Sequence, residues 1–175
     1  MLTPNDLPLA ELSALHLDGE LVAVDDAFAP LDQPPSPAQR AASLALLCEH
    51  RLIAERRTAA WVWGASLDAP PRHDVCVSIG ARAGTSHSGR LHVREVVIAP
   101  EEIVALGGVH VTTPMRTVLD LARAGDAFDP GLITRLLEVS RLTLGECIAE
   151  LRSRRNLPQK KLALKRLEAL SPTLN

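Results

Sequence analysis

The stretch Gly107-Gly108-Val109-His110-Val111-Thr112-Thr113-Pro114-Met115-Arg116-Thr117-Val118-Leu119-Asp120-Leu121-Ala122-Arg123 holds the point at which the chain turns from strand to helix. Val109 to Thr112 reads as a strand. Thr113-Pro114 then starts a helix: a hydroxyl can accept from a free amide of the first turn, and proline fits where an N–H would be orphaned anyway. Met115, Val118, Leu119 and Ala122 recur at helical spacing and are expected in the core, with Arg116, Asp120 and Arg123 on another face. Upstream, Asp74 to Ile79 and Leu91 to Ile98 read as strands, with Val75, Val77 and Ile79 inward in the first, and Leu91, Val93 and Val97 in the second. Downstream, helices are expected at roughly 114–124, 130–140, 144–155 and 159–170. Strands gathered in the middle and helices at the end predict an α+β fold, a small mixed or antiparallel sheet followed by a helical C-terminal half.

The same small-polar-then-proline grammar recurs at Thr3-Pro4, Ser36-Pro37 and Asp129-Pro130. Ser36 to Gln39 and Thr143 to Glu146 also fit capping boxes. These signals predict helices over residues 1–15 and 37–49. Glu20 to Ala29 reads as short strands around Asp25-Asp26, Leu31 to Pro35 as a linker, and Leu52 to Glu55 as a strand. Thr58 to Trp63 reads as a short helix that Gly64 ends. Gly80 to Gly89 reads as an exposed loop, and Pro100 to Leu106 as a helical turn.

Composition narrows the function. The 175 residues, 46% hydrophobic with mean hydropathy +0.08, suit one packed domain with at most a small appendage. No apolar run approaches membrane-spanning length and the N-terminus lacks signal-peptide character, so a cytoplasmic location is expected. Cys48, Cys76 and Cys147 are odd in number and widely spaced, which suits free thiols. Trp61, Trp63, Phe28 and Phe128 are the only aromatics of the Phe, Trp and Tyr class, too few for a base-stacking platform. No cofactor is implied. His73 and Cys76, three apart on a strand, point to opposite faces and make a poor metal pair. There is no P-loop, GxGxxG or GxSxG.

The net charge of −2 conceals a strong polarity. Residues 1–50 carry eight acids and a single base, Arg40, whereas residues 151–175 carry seven bases against Glu168. The basic run Arg152, Arg154, Arg155, Lys160, Lys161, Lys165 and Arg166 reads either as a solvated helix face or as an electrostatic footprint for nucleic acid. Arg56 and Arg57 read either as packing and solvated neighbours of a buried Trp63 or as contacts to nucleic acid or an acidic partner. Arg116 and Asp120, four apart, read as an ion pair fastening their helix to the sheet, or as a partner- or phosphate-binding arginine. The acidic N-terminus is a candidate to pair with the basic C-terminus, within or between chains.

Two segments carry a resemblance. Glu55 to Gly64, with its Trp63-Gly64 end, and Gly107 to Arg123, with Thr113, Pro114, Arg116, Thr117, Asp120, Leu121 and Ala122, resemble AbiEi-family antitoxins of bacterial type IV toxin–antitoxin systems, especially actinobacterial ones. Thr112-Thr113-Pro114 stands where that family has Thr-Ser-Pro. The resemblance implies an N-terminal winged-helix module that represses the operon and an antitoxin module that counters a nucleotidyltransferase-like toxin. Operator DNA and that toxin are the partners it implies. Residues 1–33 are too few for a complete winged helix and contain no Lys or Arg. They read as a shortened acidic remnant, and residues 34–175 as the antitoxin domain with its basic end.

The resulting expectation is a non-catalytic antitoxin-like transcriptional regulator. The alternative is a protein-interaction module that has lost DNA binding. A third reading, a degenerate nuclease-fold enzyme, would rest on Asp74 and Glu95, but the lysine such a site needs is missing.

Overall fold

The computed structural model describes residues 1–32, 34–48, 50–79, 89–125 and 128–170. Most of the loop expected at Gly80 to Gly89 lies outside the described residues. Among the described residues, two sheets and seven helices give the expected mixed class. Helix α1 (Leu9–Leu17) precedes a hairpin of β1 (Leu21–Val24) and β2 (Ala27–Pro30). After α2 (Pro37–Leu44) comes a five-stranded sheet in the order β5-β4-β3-β7-β6, built from β3 (Ile53–Ala54), β4 (His73–Ser78), β5 (Leu91–Val96), β6 (Ile103–Leu106) and β7 (Val109–Thr112). Helix α3 (Arg56–Val62) follows β3 directly, and α4 (Pro114–Arg123) follows β7. Helices α5 (Pro130–Ser140), α6 (Leu144–Ser153) and α7 (Lys160–Leu170) complete the C-terminal half.

The sheet is mixed: β3 runs parallel to β7 and antiparallel to β4, while β4 and β5 are parallel. Its register puts Ala54, Val75 and Val111 on one face, where α2, α3 and the hairpin cover Ala54 and Val111 through Ala41, Leu44, Trp61, Val24 and Ala29, while Val75 packs with Leu52, Val77 and Leu91. Ile53, Cys76 and Val96 form a smaller cluster on the other face. A separate core joins α4 to α7 through Leu119, Leu136, Leu151 and Leu167.

Three of the expected helix starts hold with their caps. Ser36 closes a capping box with Gln39, Thr113 accepts from the Arg116 N–H, and Asp129 accepts from the Leu132 N–H. Thr143 closes the fourth cap with Glu146. Thr3-Pro4 does not start a helix. The Thr3 amide and hydroxyl both donate to Asp6 Oδ2 at 2.8 Å, closing a local turn, and Pro8 bars Leu7 from helical geometry, so α1 begins after it. The helical turn expected over Pro100 to Leu106 shrinks to a 3-10 turn at Pro100–Glu102; Ile103–Leu106 is a strand. Gly107 and Gly108, at φ +56° and +87°, make the two-residue hairpin turn that joins it to β7. In β5 Leu91 is buried as expected, but at the strand's end Val96 is buried and Val97 is 79% exposed. Ile79 lies past the end of β4 and is exposed as well.

The acidic hairpin tip meets the sheet, not the C-terminal basic run. His73 Nε2 lies 3.1 Å from Asp25 Oδ2, both side chains buried, and Arg90 bridges Asp25 and Asp26. The lone N-terminal base, Arg40, is buried too: its guanidinium donates to Trp61 O at 2.9 Å and Ser66 O at 2.6 Å. Burial alone would raise the Asp25 carboxyl, but His73 and Arg90 outweigh it and hold the group below its ordinary 3.8. A carboxylate depressed on folding stabilises the fold above its unfolded value, and that contribution is lost as pH falls through the folded value. Stability measured by urea unfolding is therefore expected to fall from about pH 4 downward, and Asp25→Asn should flatten that part of the profile while lowering stability at neutral pH.

Candidate functional site

The two sequence motifs meet at the junction of β7 and α4. Trp63 Nε1 donates to Thr112 O at 2.8 Å, so the end of α3 is tied to the end of β7. The Thr112 and Thr117 hydroxyls are 2.8 Å apart, and Thr117 also donates to Thr113 O at 2.8 Å. Thr113 caps the helix and Pro114 occupies its first position. Trp61, not Trp63, is the fully buried tryptophan; Trp63 is partly exposed along its body. Gly64, at φ +94°, ends α3 in the left-handed conformation that favours glycine. Replacing Trp63 by Phe leaves the Thr112 carbonyl with only the longer contact from the Thr117 hydroxyl, at 3.3 Å. A loss of about 1–2 kcal/mol in urea unfolding is expected.

Beneath the motifs lies a network of ion pairs. Arg116 Nε donates to Asp120 Oδ2 at 2.8 Å, one helical turn on, and Arg116 Nη1 donates to Glu102 Oε2 at 2.5 Å. Asp120, wholly buried, also holds Arg123 and lies 3.8 Å from Arg94 Nη2. Arg94 grips Glu55 with both its Nε and Nη2. Arg154 binds Glu102 Oε1 at 2.5 Å and Glu150 at 2.8 Å. Arg94, Arg116, Arg123 and Arg154 are thus matched by Glu55, Glu102, Asp120 and Glu150, and the network is balanced in charge. Burial alone would raise the Glu102 carboxyl; the Ala99 N–H, Arg154 and Arg116 hold it below its ordinary range. One side opens to a cleft of about 830 Å³ between the end of β5 and the α6–α7 connection.

The expected Arg116–Asp120 pair is present, but its face of α4 is buried, not solvated, and Met115 is only partly buried. Glu55, Glu102 and Arg154 have partners that sequence spacing did not suggest. Arg94 likewise reaches partners, Glu55 and Asp120, that no sequence spacing suggested.

A family model described as the AbiEi antitoxin C-terminal domain matches residues 52–165. The chain belongs to this family. No curated protein matches it. The match opens at the central strand of the sheet and closes within α7, so it contains both motifs and the whole ion-pair network. In this AbiEi domain Trp63, Thr113, Arg116, Thr117 and Asp120 all make internal bonds, which accounts for each by its structural work.

The predicted basic residues separate into two groups. In the AbiEi domain's C-terminal run, Arg154 belongs to the network and Arg152 pairs with Glu168 at 2.8 Å. Lys160 donates to Arg152 O and Arg154 O, and Arg166 donates to Ala122 O and Gly125 O while lying 4.4 Å over the Phe128 ring. Arg155, Lys161 and Lys165 are exposed and have no ion pair or side-chain hydrogen bond among the described residues. Arg57 is half exposed, 3.7 Å from Asp129. Arg56 adopts φ +48° and leaves a buried Nε without a partner.

The nuclease residues do not converge. Asp74 pairs with His92 at 3.0 Å, and Glu95 stands opposite Val77 in the β4–β5 register. Val77 and Asp74 are three apart on β4, so Asp74 and Glu95 face opposite sides of the sheet. Among the described residues no three His, Cys, Asp or Glu are placed to share a metal ion. Burial pushes the Cys48 and Cys147 thiols up to about 11 and raises Cys76 as well, so none is a ready thiolate at neutral pH. No helix among the described residues is long and apolar enough to cross a membrane.

Proposed function

We propose that this protein is the antitoxin of a type IV toxin–antitoxin pair, working in the cytoplasm by binding and not by chemistry. Residues 34–175 form its antitoxin unit in this reading, with residues 1–33 an acidic N-terminal segment. The observation that carries the reading is the charge-balanced network under the family motifs, in which Glu55, Glu102, Arg116 and Asp120 are buried. It uses the ionisable groups of Arg116 and Asp120 internally and leaves them no free proton or metal chemistry. Helix α2 shares a core with β3, α3 and β7, and the β1–β2 hairpin joins the same core through Val24 and Ala29.

Operator DNA is the proposed ligand of Arg155, Lys161 and Lys165, whose charges are not spent on other side chains. Arg152, Arg154, Lys160 and Arg166 contribute to the field of that end but are held by internal bonds. Each phosphate contact adds about 0.9 to the dependence of log affinity on log salt. Mobility shifts with the protein's own upstream DNA should show binding at about 50 mM salt. Replacing Arg155, Lys161 and Lys165 together by Ala should lower the salt slope by roughly 2 to 3. Absence of any shift at low salt would end the DNA half of the proposal. Failure to rescue growth when co-expressed with a neighbouring nucleotidyltransferase-like toxin would end the antitoxin half.

A further inference from the structure

Helix α1 has an outward face that nothing among the described residues covers. Leu12 is its only buried residue. At 100° per residue, Leu9, Ala10, Ala14 and Leu17 form one stripe, all of them exposed, Leu9 by 59% and Leu17 by 84%. Glu11 and Asp18 border the stripe, and neither has an ion pair or side-chain hydrogen bond among the described residues. Helix α7 presents the complement at the other end of the chain. Ala163, Leu167 and Leu170 turn inward, leaving Lys161, Leu162, Lys165 and Ala169 outward. Each face combines leucine and alanine with uncompensated charge, acidic on α1 and basic on α7. The two helices are about 14 and 17 Å long at 1.5 Å per residue, so one can lie along the other.

We propose that the protein self-associates head to tail, the outward face of α1 in one copy docking on the outward face of α7 in the next. Charge complementarity selects a second copy as the occupant. Of the acids in residues 1–32, Asp25 and Asp26 are the ones with ion pairs among the described residues, and they meet His73 and Arg90. The contact is heterologous: every pair leaves one α1 and one α7 open, so the assembly grows until a ring closes or concentration limits it. Lys161 and Lys165 also belong to the proposed DNA face, so operator DNA and a second copy exclude each other there. The self-association itself does not depend on the DNA reading.

Sedimentation velocity of the full chain tests the contact. At about 50 mM salt the mean mass should exceed that of the monomer and rise with concentration; at about 500 mM, where exposed charges are screened, it should return to the monomer. Glu11→Lys with Asp18→Lys should give a monomer at low salt, and so should Lys161→Glu with Lys165→Glu. All four positions are exposed, and unchanged thermal unfolding of the variants will show that they fold. Mixing the two monomeric variants should restore association, since each then offers the charge the other lacks. A wild-type monomer at every concentration in low salt would overturn the proposal. So would reversed variants that associate like the wild type, or a mixture that stays monomeric. The α1 variant keeps all the C-terminal cations, so its mobility shift with operator DNA should persist. Loss of self-association and loss of DNA binding are thereby read separately.

Discussion

Arg116→Ala is expected to lower the unfolding free energy by about 3–5 kcal/mol, the range for removing one partner of a buried ion pair. The arginine side chain is 6% exposed, between Asp120 at 0% and Glu102 at 10%. Truncation leaves two carboxylates facing a cavity without their shared cation. Arg123 and Arg94 remain beside Asp120, and Arg154 beside Glu102, so the charges are not wholly abandoned. That places the expected loss toward the lower part of the range. Lysine restores the charge but has no planar fork to reach two acids at once, so Arg116→Lys should recover only part of the loss. Urea unfolding of both variants is the measurement, with Arg116→Ala/Asp120→Ala completing a cycle. If the double variant is as unstable as the sum of the singles, the two residues are not coupled and this account of the network fails.

Gly107→Ala should cost roughly 2–5 kcal/mol, for two separable reasons. The residue sits at φ +56°, where a side chain adds about 1–2 kcal/mol of backbone strain. A Cβ there would also lie 2.3 Å from Ala38 O and 2.6 Å from Ala42 N, both backbone atoms of α2 that cannot swing aside. Relieving that clash means moving α2 off the β6–β7 hairpin, and α2 carries Ala41 and Leu44 into the sheet's core. Gly108 supplies the control. It is also left-handed, at φ +87°, but its Cβ would meet only the Ala45 side chain at 3.9 Å. Gly108→Ala should therefore show the conformational cost alone, about 1–2 kcal/mol. Equal losses at the two positions would show that the close approach to α2 contributes nothing.

The legible parts of this protein are those whose signal lies within a few residues. Ser36, Thr113, Asp129 and Thr143 announce helix starts because a cap acts on an amide two or three residues ahead. The Arg116–Asp120 pair is visible because one helical turn brings them together. Thr3-Pro4 misled because a nearer bond, to Asp6, competed for the same turn, and Pro8 lay downstream. The Gly107-Gly108 pair was a local signal as well, but Pro100 to Leu106 was read as a helical turn; the strand Ile103–Leu106 shows only in its pairing with β7.

The candidate site is different in kind. Arg94 finds Glu55 across 39 positions, Arg154 finds Glu102 across 52, and Arg90 reaches Asp26 across 64. No periodicity connects such pairs, because their distance depends on how strands order in the sheet and on where the end of α6 brings Arg154. The C-terminal cations show the same division. Their sign, their number and the helices that carry them belong to the sequence. Which are spent on carbonyls and carboxylates, and which are left as Arg155, Lys161 and Lys165, was decided only when α7 packed on α4 and α6, since a guanidinium or ammonium is neutralised by what lies within a few ångströms of it, whatever its neighbours along the chain.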